Sequence, residues 1–141
     1  MFVIIVCYIL KERALMKKYV LGLMAAFILS GVQQILAVRV LQKGENLEQI
    51  INSNKKVIVD FFATWCPPCQ KLLPILDELS NEYSDVVIIK VDSDVHKSLV
   101  TNFGVRGLPT VILYKDGKIV ERFSGYKPKK QLVDLIKTKL Q

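Results

Sequence analysis

The chain is poor in the residues that carry most metal, haem and multi-disulfide chemistry: 141 residues hold three cysteines, one histidine and one tryptophan. Three cysteines are too few for a small domain stapled by disulfides. A zinc site takes about four ligands, and beyond residue 37 the thiol and imidazole donors are Cys66, Cys69 and His96. Internal repeats and low-complexity tracts are absent, which excludes solenoids and long flexible linkers. Twenty basic side chains outweigh thirteen acidic ones for a net charge of +7. The basic residues are scattered and form no recognition module, so nucleic-acid binding is not expected. What is present is apolar: 51% hydrophobic against 23% charged, a globular balance rather than a disordered or fibrous one. The length suits one domain. A mean hydropathy of +0.31 is high for such a domain and points to a segment outside it.

That segment is the N-terminus. Residues 1–37 carry Lys11, Arg13, Lys17 and Lys18 against Glu12 alone, whereas residues 38–141 carry sixteen basic and twelve acidic side chains. The opening run from Phe2 to Leu10 has nine residues, short of the roughly 20 that a bilayer span requires. From Met16 the order is Lys17-Lys18, fourteen uncharged residues over 19–32, then Gln33 to Ala37. A basic start, an apolar core and a small residue at a cleavage point describe a secretory signal. The expected division is a signal peptide or membrane anchor over residues 1–37, with Met16 as a candidate true start, and a domain over residues 38–141. An uncleaved anchor from Tyr19 to about Val38 and a buried helix are the competing readings. Cleavage after Ala37 is favoured, since an anchor would meet the domain with no flexible polar spacer. The expectation is export to a periplasmic or other extracytoplasmic space, or a membrane tether, ahead of a cytoplasmic location.

From Val38 onward strands and helices alternate, the pattern of an α/β domain. A short strand is expected at 38–42, and Leu47, Ile50 and Ile51 sit at helical spacing. Residues 57–63 form an apolar run broken by one Asp, which predicts a central strand buried on both faces. Residues 67–83 place Leu72, Leu73, Leu76 and Leu79 on one helical face, with Pro74 inside to kink it. A second buried strand is expected at 86–91 and a short helix at about 95–103, ending at Gly104. Strands at 110–114 and 118–123 flank Asp116-Gly117, a hairpin-turn dipeptide. Residues 129–140 close the chain as an amphipathic helix, with Pro128 suited to its start.

The chemistry concentrates at Trp65-Cys66-Pro67-Pro68-Cys69. Two cysteines three apart, between a buried strand and a helix start, can close a small disulfide ring. The unpaired N–H groups and partial positive charge of a helix N-terminus favour a thiolate at Cys66, the nucleophile of thiol–disulfide exchange. Cys69, one turn into the helix, would be shielded and react second. Zinc binding lacks ligands, and haem attachment needs a histidine where Gln70 stands. A purely structural disulfide is the remaining alternative, and the strand–cysteine pair–helix setting argues against it.

Asp60 interrupts the apolar strand Val57-Ile58-Val59-Asp60-Phe61-Phe62. An unpaired buried charge there costs several kcal/mol. Either the carboxyl turns to water at a strand end, or it is buried with a raised pKa and poised as a proton acceptor. Lys90, in the neighbouring apolar strand, is placed to moderate it, although a lone lysine there also reads as a snorkelling surface residue.

With these residues in view, the body resembles the thioredoxin family over residues 38–141. Val59-Asp60-Phe61-Phe62-Ala63-Thr64-Trp65-Cys66-Pro67-Pro68-Cys69 is similar to the family's active-site strand and loop. Pro74 matches its helix-kinking proline, and Gly104-Val105-Arg106-Gly107-Leu108-Pro109-Thr110 matches the segment holding its cis-proline. Gly125 matches a glycine of its substrate groove. Two departures stand out. Phe62 replaces a common tryptophan, and Pro67 replaces the glycine of the usual dipeptide, so that Pro67-Pro68 resembles the reductases of cytochrome c maturation. Those relatives carry an extra segment before the cis-proline, and the 40 positions from Cys69 to Pro109 leave no room for one. His96 has no part in the family pattern and reads as a surface or cap residue.

The resemblance implies a thioredoxin fold, a central mixed β-sheet flanked by helices, with a cis peptide at Leu108-Pro109. It implies a protein-disulfide reductase in which Cys66 attacks and Cys69 resolves, deprotonated with help from Asp60. Trp65, Pro67, Gly107, Leu108, Pro109 and Gly125 would bind substrate, and Lys90, Pro68 and Pro74 would support the site. No metal or organic cofactor is implied. The expected partners are disulfide-bearing proteins and an electron donor, either a membrane thiol-electron carrier or a thioredoxin reductase, with the chain acting as a monomer. A thiol oxidase or isomerase would share every motif, and a non-catalytic binding module would use the groove alone.

Overall fold

The computed structural model describes residues 38–141; the expected signal or anchor over 1–37 lies outside the described residues. Five strands form one sheet in the order β1-β3-β2-β4-β5. They are β1 (Val38–Val40), β2 (Lys56–Phe62), β3 (Val87–Asp92), β4 (Thr110–Lys115) and β5 (Lys118–Ser124). The helices are α1 (Leu47–Ser53), α2 (Pro67–Glu82), α3 (Lys97–Asn102) and α4 (Lys129–Leu135), which runs on as a π-helical turn over Ile136–Leu140. β1 and β2 lie parallel to β3, whereas β4 runs antiparallel to β2 and β5. The sheet is therefore mixed, and among the described residues no helix is long and apolar enough to cross a membrane.

Strand β2 is central because both of its faces are apolar. Val57, Val59 and Phe61 point to a core with Leu47 and Ile51 of α1 and Ile89, Val91 and Ile112 of the sheet. Ile58 points the other way, onto Leu72, Leu76 and Leu79 of α2 and Leu132, Ile136 and Leu140 at the C-terminus. Alternation of side chains along a strand thus turns one continuous apolar run into the floor of two cores. Phe62, on the same face as Ile58, packs with Ala63, Cys66 and Cys69. That small third cluster joins the sheet to the start of α2.

Helix and strand limits differ from expectation where side chains capture backbone groups. β1 stops at Val40 because the Gln42 N–H donates to the Glu45 carboxylate at 2.7 Å, while Arg39 holds that same carboxylate at 2.6 Å. α3 begins at Lys97 rather than near 95, since Asp92 Oδ1 accepts from the Asp94 N–H at 2.9 Å and shapes a turn. Helix α2 runs unbroken through Pro74. The hairpin turn has Asp116 at φ 50° and Gly117 at φ 75°, the left-handed pair that a two-residue turn between twisted strands requires. Asn52 Oδ1 of α1 lies only 2.8 Å from where a Gly117 side chain would begin, so α1 closes over this turn.

Candidate active site

Helix α2 starts where β2 ends, and Cys66 is its N-cap, with Pro67 and Pro68 opening the first turn. Prolines are tolerated there because the N–H groups of a first turn have no intrahelical partner. Both being prolines, they leave Cys69 with the first amide donor, and its N–H points to Cys66 Sγ at 3.3 Å. Cys66 and Cys69 are joined in a disulfide, with their Cα atoms 5.3 Å apart. Both are buried, Cys69 completely and Cys66 to within 3% of full burial. Of the two residues, Cys66 is therefore the one with any exposed surface.

A groove of about 460 Å³ runs past this disulfide, lined among others by Trp65, Cys66, Pro67, Pro68, Gly107 and Leu108. Six of the residues picked from sequence thus come together. Pro109, which follows the groove residue Leu108 in the chain, is joined to Gly125 by a hydrogen bond from the Gly125 N–H to the Pro109 carbonyl at 2.8 Å. The Leu108–Pro109 peptide is cis, and Gly125 has φ 89°, a conformation that suits glycine. Pro74 is not at the groove; it lies in the interior of α2. Trp65 is 67% exposed, yet its ring is held, because the indole N–H donates to Asp94 Oδ2 at 2.8 Å.

Sequence reasoning passed over Asp94 and several other residues that shape the groove. Ser93, Val100, Val105 and Arg106 also line it. The loop from α3 to Pro109 is clamped by Arg122 of β5, whose guanidinium donates to the Phe103 carbonyl at 2.8 Å and to the Gly104 carbonyl at 2.9 Å. An exposed arginine on an edge strand carries no sequence signal for such a task. His96 does cap α3 by position, but its side chain makes no cap hydrogen bond. Instead Nε2 lies 3.1 Å from the Leu41 carbonyl, which ties the start of α3 to the end of β1.

Asp60 is fully buried, so the alternative of a carboxyl turned to water is overturned. It shares the α2-side face of β2 with Ile58, which meets Leu72 and Leu76, and Phe62, which meets Cys66 and Cys69. Its carboxyl therefore lies beneath the first turns of α2. Among the described residues neither carboxylate oxygen has a hydrogen-bond partner. Burial pushes its pKa up to about 7, and the positive charge of Lys90 opposes that rise only in part. Lys90 is the direct neighbour of Asp60 across the β2–β3 pairing. Its ammonium, however, is bound to Asp77 Oδ1 of α2 at 2.6 Å.

Comparison with known proteins agrees with this geometry. The family model described as Thioredoxin matches residues 37–138. A chloroplastic thioredoxin Y2 of Arabidopsis thaliana is 47% identical over 91 residues, covering 64% of this chain and 54% of that protein. The chain thus spans about half the length of this chloroplast relative. A thioredoxin of Mycoplasmoides gallisepticum is 41% identical over 91 residues, 64% of this chain and 91% of that one. Among solved structures, the thioredoxin of Fasciola hepatica superposes with a TM-score of 0.66 at 39% identity, covering 72% of this chain and 98% of its own. A thioredoxin of Nicotiana alata gives 0.67 at 36% identity, covering 73% and 92%. With its oxidised cysteine pair at the head of α2 and its mixed five-stranded sheet, the chain belongs to the thioredoxin family of thiol–disulfide oxidoreductases.

Proposed function

We propose that this chain is a protein-disulfide reductase, a reading carried by the placement of the Cys66–Cys69 pair at a helix start beside an apolar groove. In the reduced protein the Cys66 thiolate attacks one sulfur of a substrate disulfide. The bond between the substrate sulfurs breaks, a mixed disulfide forms, and the released substrate thiolate takes a proton. Cys69 then gives its proton to the Asp60 carboxylate and attacks Cys66 Sγ. This frees the second substrate thiol and leaves Cys66 and Cys69 joined, two electrons having passed to the substrate. Trp65, Pro67, Gly107, Leu108, Pro109 and Gly125 form the docking wall, with the Leu108 backbone pairing to extended substrate. Pro68 lines the same groove, and Lys90 and Pro74 support the redox site from β3 and α2. A thioredoxin reductase or a membrane thiol-electron carrier returns the pair to the dithiol.

The expected result is rapid reduction of insulin disulfides by the reduced chain. In glutathione buffers the pair should remain oxidised until reduced glutathione is in large excess, since a reductase must sit at a more negative potential than the glutathione couple. A pair reduced at modest ratios would make the chain an oxidase or isomerase, and no insulin reduction at all would leave a binding module.

The N-terminal division is part of the same reading, with residues 1–37 as a signal and residues 38–141 as the working domain. Lys17-Lys18 followed by fourteen uncharged residues supports it. Mass spectrometry of natively expressed protein should find a mature chain starting near Val38 outside the cytoplasm. An intact N-terminus at Met1 or Met16 in the soluble cytoplasmic fraction would defeat export, and an intact chain retained in the membrane would make the segment an anchor.

A further inference from the structure

Lys90 stands between two carboxylates, and the structure shows which one it holds. Its β-strand neighbour is Asp60, on the same face of the sheet because adjacent parallel strands are in step. Yet the ammonium reaches past Asp60 to Asp77 Oδ1, 2.6 Å away, and both Asp60 oxygens go without a partner among the described residues. The lysine side chain is 12% exposed, Asp77 is 56% exposed, and Asp60 is wholly buried. An ion pair inside the core must desolvate both charges, whereas a pair at the rim desolvates neither fully. Asp77 supplies the rim partner, and the lysine stem snorkels outward to it.

We propose that Asp77 is a positioning residue for the redox site: from the helix that carries Cys69, it draws the Lys90 ammonium away from Asp60 and so leaves that carboxyl free to bind and release a proton. The groups that surround Asp60 make Lys90 the decisive one. From β3 comes Lys90, and across from Asp60 on β4 stands Val111. On the same face of β2, Ile58 packs with Leu72 and Leu76 of α2 and with Leu132 and Ile136 of the C-terminal helix, and Phe62 packs with Cys66 and Cys69, which carry no proton while joined in the disulfide; Asp77 acts through the lysine. Without Asp77, the ammonium loses the carboxylate that holds it at the rim, and an opposite charge brought closer to Asp60 favours the ionised form. Removal of the Asp77 charge acts in the same direction, since it takes away a negative group that disfavours ionisation of Asp60.

The inference rests on reading Asp60 as the proton acceptor of the resolving step, and its test separates the two. In the oxidised full-length chain the two cysteines do not titrate, so carbon NMR of the Asp60 carboxyl reads that group alone. Asp77→Asn should move the midpoint to lower pH by roughly half a unit or more, and Asp77→Glu should restore it. In a Lys90→Met background, Asp77→Asn should move the midpoint by much less, because the positioned group is gone. The pH profile of the resolving step should shift with the NMR midpoint in the reduced chain. A midpoint unmoved by Asp77→Asn, or moved equally without Lys90, overturns the assignment of Asp77 and leaves the role of Asp60 standing. A midpoint that moves as expected, with resolution insensitive to Asp60→Asn, upholds the assignment of Asp77 and overturns the catalytic role of Asp60.

Discussion

Replacing Cys69 with Ser should convert the protein from a catalyst into a trap. Cys66 retains its place as the N-cap of α2 and still attacks, but the second sulfur that would release the substrate is missing. Mixed disulfides should accumulate stoichiometrically on non-reducing gels and yield a defined mass increment on Cys66. The reverse variant, Cys66→Ser, should trap nothing, because Cys69 lies on the buried face of α2 with no exposed surface. Both variants should lose essentially all turnover in the insulin assay, so trapping rather than activity separates the roles. Equal trapping by both would overturn the order of attack.

The second large effect concerns Asp60 and runs through both stability and rate. Its folded-state pKa lies at about 7 against an ordinary 3.8. Below the ordinary value the carboxyl is protonated in both folded and unfolded chains and contributes nothing to the pH dependence. Between the two values the unfolded chain releases its proton while the folded chain keeps it, so stability falls as pH rises. Above about 7 the full cost is present, about 4 kcal/mol for a shift of that size. Asp60→Asn cannot ionise, so it should flatten this part of the profile. Denaturant unfolding of the oxidised chains should show the variant gaining on the parent from about pH 4 to about pH 7 and holding a constant lead above that. A parallel pair of profiles would mean that the carboxyl is not held protonated by the fold. The same variant should slow resolution near neutral pH by about a hundredfold, the lower range for loss of a positioned proton acceptor, and slow the initial attack far less.

Sequence and structure agree wherever a residue acts through its own strand or helix. The floor of the sheet could be read because an apolar run with a single exception admits a strand buried on both sides, and Asp60 stood out as that exception. Cys66 and Cys69 were legible for the same local reason: a cysteine pair between a strand and a helix start has one natural geometry. What could not be read were contacts made by long side chains across large separations. Lys90 and Asp77 are 13 residues apart, and nothing in either stretch marks the pairing, since the lysine could equally have served Asp60. Arg122 reaches carbonyls 18 and 19 residues away, and carbonyls have no sequence signature. The C-terminal helix was expected to be regular to residue 140. It widens at Ile136, just where Thr138 Oγ1 bonds back to the Asp134 carbonyl at 2.7 Å, a competition for backbone acceptors that the apolar spacing does not report.

The two prolines between the cysteines also bear on what the disulfide contributes to the fold. A cross-link stabilises a protein mainly by restricting its unfolded chain, and the gain grows with the length of the ring it closes. Here the ring holds only four residues, since the cysteines are three apart, which limits the gain to about 2 kcal/mol. Pro67 and Pro68 lower it further, because their fixed φ angles already deny the unfolded chain much of the freedom that the bond would remove. The reduced chain keeps the same restraint, so its two thiols meet at a high effective concentration without any help from the bond. Opening and closing the ring then changes the chain entropy little. Ring closure by itself therefore adds no more than about 2 kcal/mol to the difference in stability between the two redox states, and the domain can pass electrons repeatedly without a large entropic change in its chain.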